Sequence, residues 1–135
     1  MQDYPHAFKD YDKAYKMDPN SEKLLENRGY TYMADKQYDK SIADYTRLIQ
    51  INPDKPASYF NRGIAEFNKG DNTTSLSDFL HTIQGDPQNK DCLYDIALTY
   101  ERLKDYPNAL TYALKAKQAG FAVQDAYIEK LKSAH

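Results

Sequence analysis

Residues 22–55, EKLLENRGYTYMADKQYDKSIADYTRLIQINPDK, and residues 56–89, PASYFNRGIAEFNKGDNTTSLSDFLHTIQGDPQN, align without a gap at a spacing of 34 residues. In that alignment Pro53 meets Pro87, Arg28-Gly29 meets Arg62-Gly63, and Tyr45 meets Phe79. The same step runs outward in both directions. Pro19 precedes the prolines, Ala97 follows the glycines, Tyr11 precedes Tyr45, and Phe8, Ile42, Leu76 and Leu110 form another series. Asp3-Tyr4-Pro5 returns three periods later as Asp105-Tyr106-Pro107. Five ladders in one register are the mark of a helical repeat array.

Each period reads as two amphipathic helices. Leu25, Tyr32 and Met33 keep helical spacing over 22–35, and Ile42, Tyr45, Leu48 and Ile49 do so over 39–51. Asn20-Ser21 and Asp39 have the short polar side chains that cap helix starts. Asn52-Pro53-Asp54 ends the second helix, because proline disfavours helix at the residue before it. The next pair spans 56–69 and 73–84 across the turn Lys69-Gly70-Asp71-Asn72. A third spans 90–103 and 106–118, with Asp105 as cap and Pro107 in the first turn, where its missing N–H does no harm.

These residues resemble the tetratricopeptide repeat, whose pattern is W-x2-L-G-x2-Y…A-x3-F…P. The first full repeat supplies Leu25, Arg28-Gly29, Tyr32, Ser41, Tyr45 and Pro53. The second supplies Tyr59, Arg62-Gly63, Ser75, Phe79 and Pro87, but departs from the pattern at Glu66. The third supplies Leu93, Ile96-Ala97, Tyr100, Ala109 and Ala113, with Phe121 where proline stands in the others. The resemblance implies an all-α fold, a right-handed α-solenoid of antiparallel helix pairs. It divides one domain, 1–135, into the second helix of a truncated repeat (1–21), repeats at 22–55, 56–89 and 90–121, and a capping helix at 122–135. Small residues at 29, 63 and 97 remove bulk where paired helices cross, as Ser41, Ser75 and Ala109 do from the other side. Gly63→Leu is therefore expected to overpack the crossing, at or above the usual cost of about 1–3 kcal/mol.

Residues 4–17 carry an apolar face of Ala7, Phe8, Tyr11, Ala14 and Tyr15 with no first helix to cover one side of it. Solenoids require capping units, so a fragment of a longer array is the preferred account. A short natural chain, with this helix as its cap or covered in a homodimer by a second copy, stays open. At the other end Leu131 stands where Gly29 and Gly63 stood, which bars a closely crossing partner helix. Glu129, Lys130 and Lys132 give segment 122–134 the wet face of a terminal cap.

Arg28 and Arg62 occupy a position where the family pattern has leucine, and Asp44 and Asp78 follow each by 16 residues. In the third repeat both change together, to Ile96 and Tyr112. This covariation within the chain predicts Arg28–Asp44 and Arg62–Asp78 bridges between the two helices of a repeat. Asp10 then lacks an arginine of its own, or pairs with Arg28. As ordinary solvated charges these pairs are worth about 0–1 kcal/mol.

Composition narrows the function. The chain is 41% hydrophobic and 28% charged, with formal net charge −2 and pI near 5.9. It offers no cationic excess of the kind that neutralises phosphates, so nucleic acid is not an expected partner. No run approaches the roughly 18 apolar residues of a membrane span, and residues 1–5 lack a signal-peptide pattern. His6, His81 and His135 lie far apart, so no metal is expected. Cys92 cannot form an internal disulfide. A helix start lowers a thiol pKa, yet no base lies near it in the sequence, and it reads as an incidental small residue. Gly29, Gly63 and Gly70 are packing and turn residues rather than a phosphate loop, and no cofactor is expected. The sequence argues against an enzyme.

The resemblance also implies a concave groove lined by the first helices, and with it a protein–protein interaction scaffold. The groove residues are then Asn27, Tyr30, Phe60, Asn61, Ile64, Phe67, Tyr94, Asp95, Leu98 and Arg102, flanked by Lys23, Glu26, Met33, Asn68, Asp91 and Glu101. Asn27 and Asn61 donate and accept, which suits the backbone of an extended peptide; the aromatics would supply apolar pockets or pack on neighbouring helices. At the positions where some members clamp an acidic C-terminus stand Glu26, Tyr30, Asn61, Asp91 and Asp95. Of these only Asn61 fits, so a neutral or mildly basic hydrophobic peptide or helix is the expected ligand. A spacer within a longer array, without a ligand of its own, is the alternative.

Overall fold

The structure, a computed structural model, describes residues 3–135. Its described residues form eight α-helices in chain order: α1 Tyr4–Met17, α2 Glu22–Ala34, α3 Tyr38–Ile51, α4 Pro56–Lys69, α5 Asn72–Gly85, α6 Lys90–Arg102, α7 Tyr106–Gln118 and α8 Asp125–Ser133. Each packs on the next, and α2·α3, α4·α5 and α6·α7 are the closest pairs. The product is an all-α solenoid.

Caps and corners follow local chemistry. Ser21 accepts from the Leu24 N–H at 3.3 Å, and Asp105 from the Asn108 N–H at 3.3 Å. Asp39, expected as a cap, instead lies inside the first turn of α3, which starts one residue earlier behind Gln37; there its charge meets the positive end of the helix dipole. Lys36, Gly70 and Lys104, one period apart, take the left-handed conformation with φ of 61°, 96° and 61°. Each sits just past a first helix, and the next N–H reaches back to the carbonyl of Tyr32, Glu66 or Tyr100 at 2.8, 2.9 and 2.9 Å. This backward bond satisfies carbonyls that the helix end leaves free.

The pairs close through their small residues. A Cβ added at Gly63 would lie 2.7 Å from Phe79 Cε1, and one at Gly29 3.1 Å from Tyr45 Cζ. Ser41 Oγ donates to the Gly29 carbonyl at 2.7 Å, tying α3 to α2. Buried Tyr45 packs with Leu25 and Leu48, and buried Phe79 with Cys92 and Ile96 of the following repeat. The largest cluster joins Leu93, Ala97, Ala109, Ala113 and Ala116 to Val123, Ile128 and Leu131. Helix α8 is shorter than the segment expected over 122–134. It begins at Asp125, and Val123 enters the core ahead of it from irregular backbone. At the other end α1 has no buried residue, although Phe8 stacks on Tyr32 at 4.3 Å between centroids.

Candidate functional site: the first-helix face

The first helices are held in place by arginine clamps. Arg28 Nε and Nη2 donate to Asp44 at 2.8 and 2.7 Å, and Arg62 Nε and Nη2 donate to Asp78 at 2.7 Å each. Both are two-pronged bonds of the kind that planar guanidinium favours. Their third arm was not legible in the sequence. Arg28 Nη1 reaches backwards to Asp12 at 3.1 Å, and Arg62 Nη1 to Thr46 at 3.3 Å. The partner of Arg28 in α1 is therefore Asp12, not Asp10. Each arginine reads 16 residues forward and 16 back, so it ties its own pair and the preceding second helix together. In the third repeat the same three positions are Leu80, Ile96 and Tyr112, packed in one apolar cluster. Bonding to Asp44 and Asp78 raises the pKa of each arginine above its ordinary value, against the opposing effect of burial.

Beside the second clamp lies Glu66, 5% exposed, in the position held by Tyr32 and Tyr100. Arg62 Nε is 3.7 Å from its Oε1, while Oε2 has no hydrogen-bond partner among the described residues. Burial first, then hydrogen bonding and repulsion from Asp78, push its carboxyl up to about 8, with Arg62 pulling the other way. Cys92 is likewise buried, its Sγ 3.3 Å from the Phe79 carbonyl. Burial pushes that thiol up to about 12, the reverse of the lowering that a helix start alone gives.

The expected groove residues fall into two groups. Asn27 is exposed, and Tyr30 stands out with 63% of its surface exposed. Asn61, Asp95, Ile64 and Leu98 are half-buried. The remaining aromatics are engaged in packing. Phe60 and Phe67 lie 5.9 and 6.4 Å from the Phe79 ring, and Tyr94 stacks on Phe121 at 4.2 Å. Arg102 covers the Phe67 ring at 3.4 Å and donates to the Phe67 carbonyl at 2.8 Å, linking α6 to α4. Of the flanking residues, Glu26 is paired with Lys55, and Glu101 accepts from Tyr127 Oη at 3.0 Å and Lys130 Nζ at 2.7 Å.

Three equivalent side chains, Asn27, Asn61 and Asp95, recur one period apart on α2, α4 and α6. None has a side-chain hydrogen bond to another described residue. Desolvation, and then the neighbouring Asp91, raise the Asp95 carboxyl to about 6. This face therefore presents two free amides, a carboxylate without a cation, and an exposed tyrosine. No group of three or more His, Cys, Asp and Glu that could hold a metal ion occurs among the described residues, and no helix there is long and apolar enough to cross a membrane.

Comparison with known proteins agrees with this geometry. Two family models match, a TPR repeat over residues 29–70 and a tetratricopeptide repeat over residues 60–122. No curated protein sequence matches the chain. Among solved structures, MamA is similar at TM-score 0.83 and 21% identity over 87% of this chain, which spans 69% of that one; it spans 64% of a second MamA structure. The first TPR of Spaghetti (RPAP3), bound to the HSP90 peptide SRMEEVD, gives TM-score 0.77 at 17% identity, over 82% of this chain and 90% of that one. The Sgt2 TPR domain from Aspergillus fumigatus gives 0.74 at 27% identity, over 82% and 76%. Recurring small crossing residues, stacked helix pairs and two matching family models make this chain a member of the tetratricopeptide repeat family.

Proposed function

We propose that the chain is a non-catalytic protein-interaction scaffold whose first-helix face holds an extended peptide or a helix of another polypeptide. The observation that carries this reading is the row Asn27, Asn61 and Asp95, polar groups without internal partners, beside exposed Tyr30. Amides at one-period spacing meet a peptide backbone as both donors and acceptors, and an exposed aromatic is a common interface anchor. Similarity to the RPAP3 domain, whose structure holds a peptide, supports a polypeptide ligand. An acidic one such as SRMEEVD suits this face poorly, since Asp91 and Asp95 repel carboxylates. A neutral or mildly basic hydrophobic segment suits it better. Asp95 titrates near 6, so attraction for a lysine or arginine of the ligand weakens as pH falls through that value.

The test is selection of peptides from a random display library on the intact chain. Tyr30→Ala combined with Asn61→Ala is expected to abolish capture of the selected peptides while the circular dichroism spectrum stays helical. Phe60 is left unaltered because its ring supports Phe79. Selected peptides that bind the double variant as well as the parent would refute the groove assignment, and a library that yields no binder would favour a spacer role.

A further inference from the structure

A cavity of about 520 Å³ opens at the edge where second helices end and first helices begin, lined by Pro87, Gln88, Leu93, Lys115, Gln118 and Ala119, with Ile83 on its floor. A smaller one, of about 300 Å³, is lined by Pro53, Asp54, Tyr59, His81, Gln84 and Gly85. Six lining positions of each correspond one period apart, while Pro56 lines only the smaller cavity and Ile83 only the larger, so the two are versions of one feature of the repeat. None of them belongs to the first-helix face described above.

What differs is how each copy is filled. In the second repeat Tyr59 and His81 occupy the space with their rings 3.8 Å apart. Pro56 leans on Gly85 so closely that an added Cβ there would meet its Cγ at 2.8 Å. At the corresponding place in the first repeat, Arg47 Nη2 is tied across to Asn20 at 2.6 Å. In the third repeat Leu93 replaces the tyrosine and Lys115 the histidine. The Lys115 ammonium lies 4.7 Å from the Tyr112 ring and has no carboxylate within salt-bridge distance among the described residues. Gln88 replaces Asp54, so no acid lines this copy. An apolar floor of Ile83, Leu93 and Ala119 thus lies beneath an unneutralised cation and two amides. The volume is within the range of about 300–1,000 Å³ usual for small-molecule sites.

We propose that this cavity is a second binding site, which takes a branched apolar side chain joined to a carboxylate, as in the C-terminal residue of a partner polypeptide or an acidic residue beside a leucine. The apolar group fills the floor; the carboxylate meets Lys115 and accepts from Gln88 and Gln118. The site stands whether or not the first-helix face binds a peptide.

The experiment is an NMR titration of the full chain, isotopically labelled, with acetyl-leucine and with the neutral acetyl-leucinamide. Acetyl-Glu-Leu-amide, whose only carboxylate is on a side chain, separates the two sources of the anion. Acetyl-leucine is expected to shift the amides of Gln88, Leu93, Lys115, Gln118 and Ala119 saturably. The neutral amide should bind about two- to fivefold more weakly, the worth of one exposed ion pair, and Lys115→Gln should erase that preference. Leu93→Tyr with Lys115→His rebuilds the narrower second-repeat version, which has neither the leucine floor nor the ammonium, and should abolish the shifts, with resonances elsewhere reporting an intact fold. Absence of saturable shifts, equal affinity for acid and amide, or indifference to Lys115→Gln would overturn the proposal.

Discussion

At Gly63 the room for a side chain is measured in tenths of an ångström. A Cβ there meets Phe79 at 2.7 Å, whereas the nearest atom at Gly29 is 3.1 Å away. Replacing a helical glycine with alanine gains about 1 kcal/mol of propensity, so Gly29→Ala should be close to neutral. Gly63→Ala should destabilise by about 1–3 kcal/mol through overpacking, and Gly63→Leu by more; urea unfolding of the three variants gives the ranking. An unchanged stability in Gly63→Leu would contradict the crossing geometry. Glu66 gives a second prediction. Its folded-state pKa, about 8, lies above the usual glutamate value, so the folded chain keeps a proton that the unfolded chain releases as pH rises. Stability is then lost across the interval from the ordinary glutamate value up to about 8. Glu66→Gln, neutral throughout, should raise Tm above pH 8 and leave it little changed near pH 4. That Glu66 breaks the tyrosine pattern is plain in the sequence. Its burial is not, because the packing that sets it beside Asp78 depends on how α4 meets α5.

At the scale of helices, the pairing of Arg28 with Asp44 and Arg62 with Asp78 was readable because both members change together in the third repeat. The backward arms to Asp12 and Thr46 were hidden, since one acid and one hydroxyl share no chemical signature. Buried ion pairs are weak evidence of net stability, but breaking one is costly, about 3–5 kcal/mol. Arg28→Ile alone should show that loss, because it strands Asp44. Importing the whole third-repeat set, Asp12→Leu, Arg28→Ile and Asp44→Tyr, should recover most of it in guanidinium unfolding. A triple variant no more stable than Arg28→Ile would mean that the clamps do more than substitute for apolar contact. Helix existence followed from the 34-residue ladders; helix starts were less legible, as Asp39 and the late onset of α8 show, because side-chain caps are only one way to begin a helix.

Across the whole molecule the core is uneven. Helix α1 buries nothing fully, while the cluster around α6, α7 and α8 is the most extensive. In a repeat array stability is summed from neighbouring contacts, so amide hydrogen exchange should be fastest in α1 and slowest in α6 and α7; a uniform profile would indicate a single cooperative unit. The stacking was legible from the period, whereas the edge cavity was not, since its larger form arises where Leu93 and Lys115 leave space that the stacked rings of Tyr59 and His81 narrow. The left-handed corners carry a further consequence. Lys36 and Lys104 are exposed at the tip of a turn inside a repeat, where proteases preferentially nick a folded chain. Brief trypsin treatment should therefore generate new termini at Gln37 and Asp105, and each cut parts two helices that remain packed on one another, so a cleaved molecule still elutes at its original size.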